Sequence, residues 1–423
     1  MSQTMRTEPA ATHPPTGRQW PSTFAALRYR NYRLWFVGQA ISLMGTWMQN
    51  VAQGWLVYEM TGSKFALGAI SFASSFPTLF FMLPAGALAD RFPRRRLMLI
   101  TQTVMMLCAF ILATLVATGI LRVWHVGILA FVLGVANSFD APARQSLAVE
   151  MVEDRRDLMN AIAMNSLMFN LARVAGPAVA GVLLATVGPT LCFALNGLSF
   201  LAVLAALLMM RLPPIAQRPQ TEPLAAQVAA GLRYIRQSAP IRTIILLVGI
   251  SSLFGLSYAT LMPAYAADVL RVGETGLGWL STAVGVGALA GSFTVASLGR
   301  LRRKGLLLTI GSLLFPGALL FFACSRSLPL SLACLAVVGF GWVAQNATCN
   351  TLVQALVTDD LRGRVMGAYT LMFFGTSPFG ALLAGSLAQA LGPTTAVLIG
   401  AGVTLVFSAG LLLAVPALRR LEA

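Results

Sequence analysis

Long apolar runs broken by short polar stretches dominate this chain from residue 33 to residue 415. Each run is close to 20 residues, the length of helix that crosses about 30 Å of hydrocarbon. They lie over 33–58, 65–89, 97–118, 124–145, 161–187, 190–210, 243–267, 276–298, 305–324, 328–350, 365–391 and 393–415. Such continuous runs exclude a membrane β-barrel, whose strands alternate in polarity over about ten residues. The pattern predicts an all-α membrane protein with twelve transmembrane helices. Polar stretches at 1–32, 211–241 and 416–423 divide it into two six-span halves, 33–210 and 242–415. Residues 1–32 lack the apolar core of a signal peptide and read as a cytoplasmic tail. In the central stretch Pro213 and Pro214 stop a helix. Beyond them Leu224, Val228, Leu232 and Ile235 share one helical face, with Arg233 and Arg236 off it. That spacing predicts an amphipathic surface helix over 222–238.

Composition agrees with the membrane reading: 57% of residues are hydrophobic, 10% are charged and mean hydropathy is +0.76. Net charge is +16. In a soluble protein such an excess would point to nucleic acid, but here the arginines sit at span ends, where they meet lipid headgroups and set orientation. With residues 1–32 inside, 25 Lys and Arg fall on inner segments. Only Lys64, Arg122, Arg271 and Arg326 fall outside, and Arg173 lies within a span. Short loops rich in Lys and Arg stay in the cytoplasm, so both termini are expected there. Cys108, Cys192, Cys324, Cys334 and Cys349 lie in apolar runs without a CxxC pair, and read as buried free thiols. His13 and His125 are the only histidines, too few for a histidine-based catalytic centre or metal site.

The halves repeat. Gly176-Pro-Ala-Val-Ala-Gly181 with Gly188-Pro-Thr190 is matched 204 residues later by Gly380-Ala-Leu-Leu-Ala-Gly385 with Gly392-Pro-Thr394. Arg94-Arg-Arg96 is echoed by Arg302-Arg-Lys304. Two parallel six-span repeats joined by a long cytoplasmic segment form a transporter architecture. At this level the chain resembles the major facilitator superfamily. Gly86-x-x-x-Asp90-Arg91-x-Pro93-Arg94-Arg95 resembles its loop 2–3 signature, with proline where glycine is usual. Arg173-Val-Ala-Gly176-Pro177-x-x-Ala180-Gly181 resembles the fifth-span motif of its exporters, with alanine replacing one glycine. Arg30-Asn-Tyr-Arg-Leu-Trp35, Gly54-Trp-Leu-Val57 with Thr61-Gly-Ser63, and Phe139-Asp-Ala-Pro-Ala-Arg-Gln145 narrow the likeness to the branch of enterobactin exporters and secretion-type permeases. The resemblance implies proton-linked export by alternating access across a bacterial inner membrane. It also implies a gate in which Asp90 and Arg91, with Arg94 and Arg95 in the same loop, hold the cytoplasmic ends together.

Several polar positions inside spans call for partners. Gln39, Ser42, Thr46, Gln49, Asn50 and Gln53 share one face of the first span. Lipid does not satisfy amides, so they form either a hydrogen-bonded seam between helices or one wall of a wet cavity. Asn137, Asn170, Gln345, Asn346 and Asn350 extend the candidate cavity set. Asp140 and Arg144 are one helical turn apart in the fourth span, as a fixing ion pair or as a proton site. Arg173 is the deepest charge, either a partner for Asp140 or for backbone carbonyls, or an anion-attracting group on the cavity wall. Gly176, Pro177, Ala180 and Gly181 permit close helix approach; Gly287 and Gly291 do the same.

No GxxxxGK[ST] segment is present, so this chain does not read as an ATP-driven pump. No metal cluster or nucleophile–base pair points to an enzyme. The expected function is secondary active export of a small amphipathic molecule such as a siderophore, macrolide or drug. The expected energy source is the proton gradient, with no bound cofactor, no partner beyond cargo and lipid, and a monomeric chain. Uptake or lipid flipping on the same fold, or a non-transporting sensor or assembly protein, are the alternatives.

Overall fold

The computed structural model describes residues 22–152, 154–210, 232–298, 304–358, 361–416 and 418. It is all-helical. The long helices are α1 (Arg30–Thr61), α2 (Lys64–Arg91), α3 (Arg94–Ala117), α4 (Val123–Glu150), α5 (Leu158–Val187) and α6 (Pro189–Met209). Then come α7 (Ala239–Val269), α8 (Gly273–Ser297), α9 (Lys304–Cys324), α10 (Leu328–Leu356), α11 (Arg362–Leu391) and α12 (Pro393–Ala414). All but α1 contain a stretch long and apolar enough to cross a membrane. The amide stripe on α1 lowers its apolarity, yet α1 packs against α5 and α6 inside the bundle. Large apolar side chains such as Ile100, Phe321 and Val406 are exposed on the outer surface, as a lipid-facing wall requires. The chain is a multi-pass membrane protein.

Local chemistry sets the helix ends. Ser63 Oγ accepts a hydrogen bond from Ala66 N at 3.2 Å and caps α2. Gly62, at φ 58°, closes α1 by donating its N–H to the Tyr58 carbonyl. Gly188 and Gly392 have φ of 84° and 86°, each followed by the proline that opens the next helix. These are the two copies of the repeated Gly-Pro-Thr, and they make matching turns.

The span expected over 243–267 is one run but not one regular helix. Within α7, Ser251–Gly255 and Tyr265–Val269 are π-helical and Leu256–Leu261 is 3-10. Pro263 cannot donate to the turn before it, which interrupts the ladder, and at the first π-helical stretch Ser252 Oγ donates to the Phe373 carbonyl, tying α7 to α11. A second departure concerns the thiols. Four cysteines are buried, but Cys324, the last residue of α9, is exposed. Of the amphipathic helix expected over 222–238, residues 232–237 are helical, with Ile235 buried and Leu232 exposed rather than both on an inward face. The rest of that segment, residues 1–21, Arg302 and Arg303, and nearly all of 416–423 lie outside the described residues.

Within the first half α2 packs on α4, and α3 on α4 and α6; in the second α8 and α9 pack on α10, and α9 on α12. The halves meet along two seams, α2 with α11 and α5 with α8. Both carry a glycine–glycine contact. A methyl group on Gly181 would lie 2.9 Å from Gly278 Cα, and one on Gly385 would lie 2.8 Å from Gly68 Cα. Gly176 meets Trp47 of α1 and Gly380 meets Leu253 of α7. Each copy of the repeated motif therefore presents one glycine to its own half and one to the other half. Both cross-half contacts lie near the α1–α2 and α7–α8 turns, the Lys64 end of the molecule.

Candidate functional site

Two adjoining cavities of about 500 and 440 Å³ lie at the centre. They share Trp47, Asn50, Gln53 and Ser74 in their walls and so adjoin along that surface. The first runs between the halves, with Arg173 and Pro177 of α5, Tyr258 of α7 and Trp342 of α10. The second is bordered by Gln39, Thr46, Gln49, Asn137, Asp140 and Arg144, with Phe374 and Ser377 of α11 across from them.

The α1 stripe therefore serves in two ways. Asn50 and Gln53 face both cavities. Gln49 also accepts a hydrogen bond from Asn196 Nδ2 at 2.7 Å, which ties α1 to α6. The Thr46 hydroxyl is satisfied by the Ser42 carbonyl within its own helix. The set in the second half does not join the cavity wall. Gln345 is 1% exposed and donates to Ser251 Oγ at 2.9 Å, joining α10 to α7. Tyr369 Oη contacts Asn346, and the Gln354 amide donates to Asn350 Oδ1. Gln345 donates, Asn346 and Asn350 accept, and each of these bonds stays within the second half. Asn170 is also absent from the walls: its amide donates to the Ser166 carbonyl at 2.8 Å, and its Oδ1 accepts from Arg173 at 3.2 Å.

Asp140 is 1% exposed. Its Oδ1 accepts from Thr101 Oγ1 at 3.0 Å and from Gln102 Nε2 at 2.9 Å, both on α3. Its Oδ2 has no hydrogen-bond partner, and Arg144 Nε stands 3.8 Å away. Asp140 thus binds α4 to α3. It does not pair with Arg173, which lines the other cavity. Arg94 forms an ion pair with Glu150 at the end of α4, and Arg95 donates to the Leu208 carbonyl of α6 at 2.9 Å. Both contacts tie α3 to its own half. The side chains of Asp90 and Arg91, at the end of α2, lie outside the described residues.

A further cluster joins the halves at the Lys64 end. Asp268 of α7 accepts from Tyr58 Oη at 2.6 Å and pairs with Lys64 Nζ at 2.8 Å. Gln389 Oε1 of α11 accepts from the Lys64 and Ser63 backbone and hydroxyl groups at 2.9 and 3.3 Å, against the N-terminus of α2. Asp268 escapes a reading centred on basic residues, although an acid in an apolar run is itself a signal. Trp47, Tyr258 and Trp342 are invisible among core aromatics until the cavity is seen.

The fold is that of known transporters. A peptide transporter of the POT family, crystallised with sulfate, superposes with a TM-score of 0.75 at 13% identity, covering 93% of this chain and 96% of that one. A bacterial homologue of the human lysosomal transporter Spinster, in an inward-facing, unoccupied conformation, gives 0.67 at 13% identity over 95% and 97% of the two chains. In sequence the chain is 27% identical over 351 residues to the multidrug efflux pump Tap of Mycolicibacterium fortuitum, covering 81% of this chain and 85% of that one. It is 28% identical over 399 residues to the enterobactin exporter EntS of Shigella boydii, covering 92% of each. The family model described as transmembrane secretion effector matches residues 21–423. With that match spanning both halves and both seams, the chain belongs to the transmembrane secretion effectors of the major facilitator superfamily and is a membrane transporter.

Proposed function

We propose that this protein exports a small amphipathic molecule across a bacterial inner membrane by alternating access, in exchange for protons. One observation carries the reading: a central cavity between two six-helix halves, with the halves joined at the Lys64 end through Asp268, Gln389 and two glycine contacts. At the opposite end, Arg94 and Arg95 bind within the first half. A two-faced transporter needs such a state as one of its two endpoints. The bias of Lys and Arg supports a reading with the Lys64 end at the outer face and both termini in the cytoplasm. Relatives named as a multidrug efflux pump and an enterobactin exporter favour export over uptake, with a drug-like or siderophore cargo.

Roles follow for the site residues. Asp140 is the proton-coupling residue of this reading, since one of its oxygens is buried without a hydrogen bond at the cavity wall, with Arg144 one turn away. Gly176, Pro177, Ala180 and Gly181 form the seam that seals the outer face. Asp90 and Arg91 close the cytoplasmic face in the other endpoint.

The test is flux in proteoliposomes with an imposed pH gradient. Uptake of a panel cargo into vesicles acidified inside is expected, and a protonophore is expected to abolish it. Equal flux without a gradient would exclude antiport. Flux of no compound in a broad panel of siderophores, macrolides and drugs would exclude the export reading.

A further inference from the structure

Among the described residues, Arg173 has no counter-charge beside it. Arg173 is the one charged side chain lining the first cavity. Its single hydrogen bond as donor goes to the neutral Asn170 Oδ1 at 3.2 Å, and its buried Nε has no partner. Among the described residues no carboxylate lies within ion-pair distance of it; the acids nearest in role, Asp140 and Asp268, are engaged elsewhere. Asn170 spends its own amide on the Ser166 carbonyl, so its oxygen is left to orient the guanidinium without neutralising it. A guanidinium at membrane depth with no anion beside it is costly, and its place on the cavity wall invites one.

The surrounding wall says what kind of anion fits. Trp47 from α1, Tyr258 from α7 and Trp342 from α10 line the same space, with aliphatic groups between them. Asn50 and Gln53 add neutral hydrogen-bonding groups. The volume of about 500 Å³ suits a drug-sized molecule. No acidic side chain lines this cavity, so a cationic cargo would meet Arg173 with only the aromatic faces to offset the repulsion. A neutral cargo would leave the guanidinium unpaired. A flat body with one anionic oxygen group meets both demands: its rings lie against aromatic faces, and its anion takes the forked donors of the arginine.

We infer that this cavity selects amphipathic aromatic compounds bearing one carboxylate- or phenolate-type anion, with Arg173 as the anion-recognising residue. The inference rests on this cavity being the cargo site of the exporter proposed above. An arginine suits the task better than a lysine, because its planar fork offers two parallel donors to the two oxygens of a carboxylate.

The test uses the full chain in phosphatidylcholine nanodiscs and three probes with one body: 2-naphthoate, 2-naphthamide and 2-naphthylmethylammonium. Equilibrium dialysis measures binding, and empty nanodiscs correct for partition into lipid. In the wild type the carboxylate is expected to bind about tenfold to a hundredfold more tightly than the other two, the range of a charged hydrogen bond. Arg173→Gln is expected to abolish that preference, and Arg173→Lys to keep part of it. The wild-type ranking stands without any variant, so poor folding of one variant does not spare the inference. Equal binding of the three probes, or failure of the carboxylate to bind, overturns it. Loss of naphthoate binding when phosphatidylglycerol is added would also overturn it, because the anion would then be a lipid headgroup. The transport reading is judged separately. Selective naphthoate binding without gradient-driven flux would sink export and leave anion recognition intact. Flux of cationic drugs without any carboxylate preference would do the reverse.

Discussion

At the scale of single residues, the proposed export turns on the proton-coupling role proposed for Asp140. The turn-spaced Asp140 and Arg144 are visible in the sequence, but the donors that matter more, Thr101 and Gln102, come from α3 and are not. Those donors both use Oδ1, so an amide at this position can keep them while losing the proton site. Asp140→Asn should therefore fold, with a stability cost of about 1–2 kcal/mol from the changed hydrogen-bond pattern. Gradient-driven flux in proteoliposomes should fall at least about tenfold, while cargo exchange at equal pH stays within about twofold of the wild type. Loss of exchange together with driven flux would move Asp140 from proton coupling to cargo binding. The cavity amides give the matching lesson about reading polar residues. Gln345 and Gln49 look alike in sequence, yet Gln345 is spent on Ser251 inside the second half and Gln49 reaches both Asn196 and the cavity. Periodicity assigns a residue to a face, and only the neighbouring helix decides what that face meets.

At the scale of elements, the repeated motif was legible and its partners were not. The offset of 204 residues aligned Gly181 with Gly385, and each makes a cross-half contact. Gly278 and Gly68, which receive those contacts, sit in apolar runs with nothing around them to mark their role. The interruption of α7 was equally hidden, because hydropathy does not register a change of hydrogen-bond pitch. Gly181→Val should wedge the α5–α8 seam: its branched side chain would overlap Gly278 Cα and the Thr275 carbonyl. Overpacking of this kind costs about 1–3 kcal/mol. Because that cost falls on the state joined at the Lys64 end, flux should drop and a cysteine probe placed in the cavity should become reachable from that end. Unchanged accessibility would remove the seam from the gating role. The turns offer a purely structural contrast. Gly188, at φ 84°, has a backbone that side chains rarely adopt, whereas Gly402 is helical with open space around it. Gly188→Ala should cost about 1–3 kcal/mol and lower Tm in a detergent thermal scan. Gly402→Ala should leave Tm level or raise it.

At the scale of the whole molecule, the apolar runs and their order were readable from hydropathy, and eleven of the helices they form are long and apolar enough to cross a membrane. Which end is closed was not readable, because Tyr58 and Asp268 are 210 residues apart and meet only when the halves are assembled. The strength of that closure matters as much as its presence. The Lys64 and Asp268 side chains are 21% and 39% exposed, and an ion pair so wetted contributes about 0–1 kcal/mol. Tyr58 and Gln389 add neutral or singly charged hydrogen bonds of similar size. A lock made of small terms holds one state without trapping it, which suits an end that opens once in each cycle of the proposed exporter. Asp268→Asn should then shift the balance toward opening by about fivefold, the effect of roughly 1 kcal/mol. Spin labels at Phe65→Cys on α2 and Leu391→Cys on α11 report the gap, since both positions are exposed and sit on opposite halves at this end. The label background requires Cys324→Ser, because Cys324 is the one exposed native thiol among the five. Pulsed dipolar spectroscopy in nanodiscs should show a longer-distance population that is minor in the labelled wild type and several times larger with Asp268→Asn. The change should be weaker at high salt, because ions already screen the pair in the wild type. An identical distance distribution in both proteins would mean that the glycine seams alone hold this end shut, and that Asp268 is a bystander at the surface.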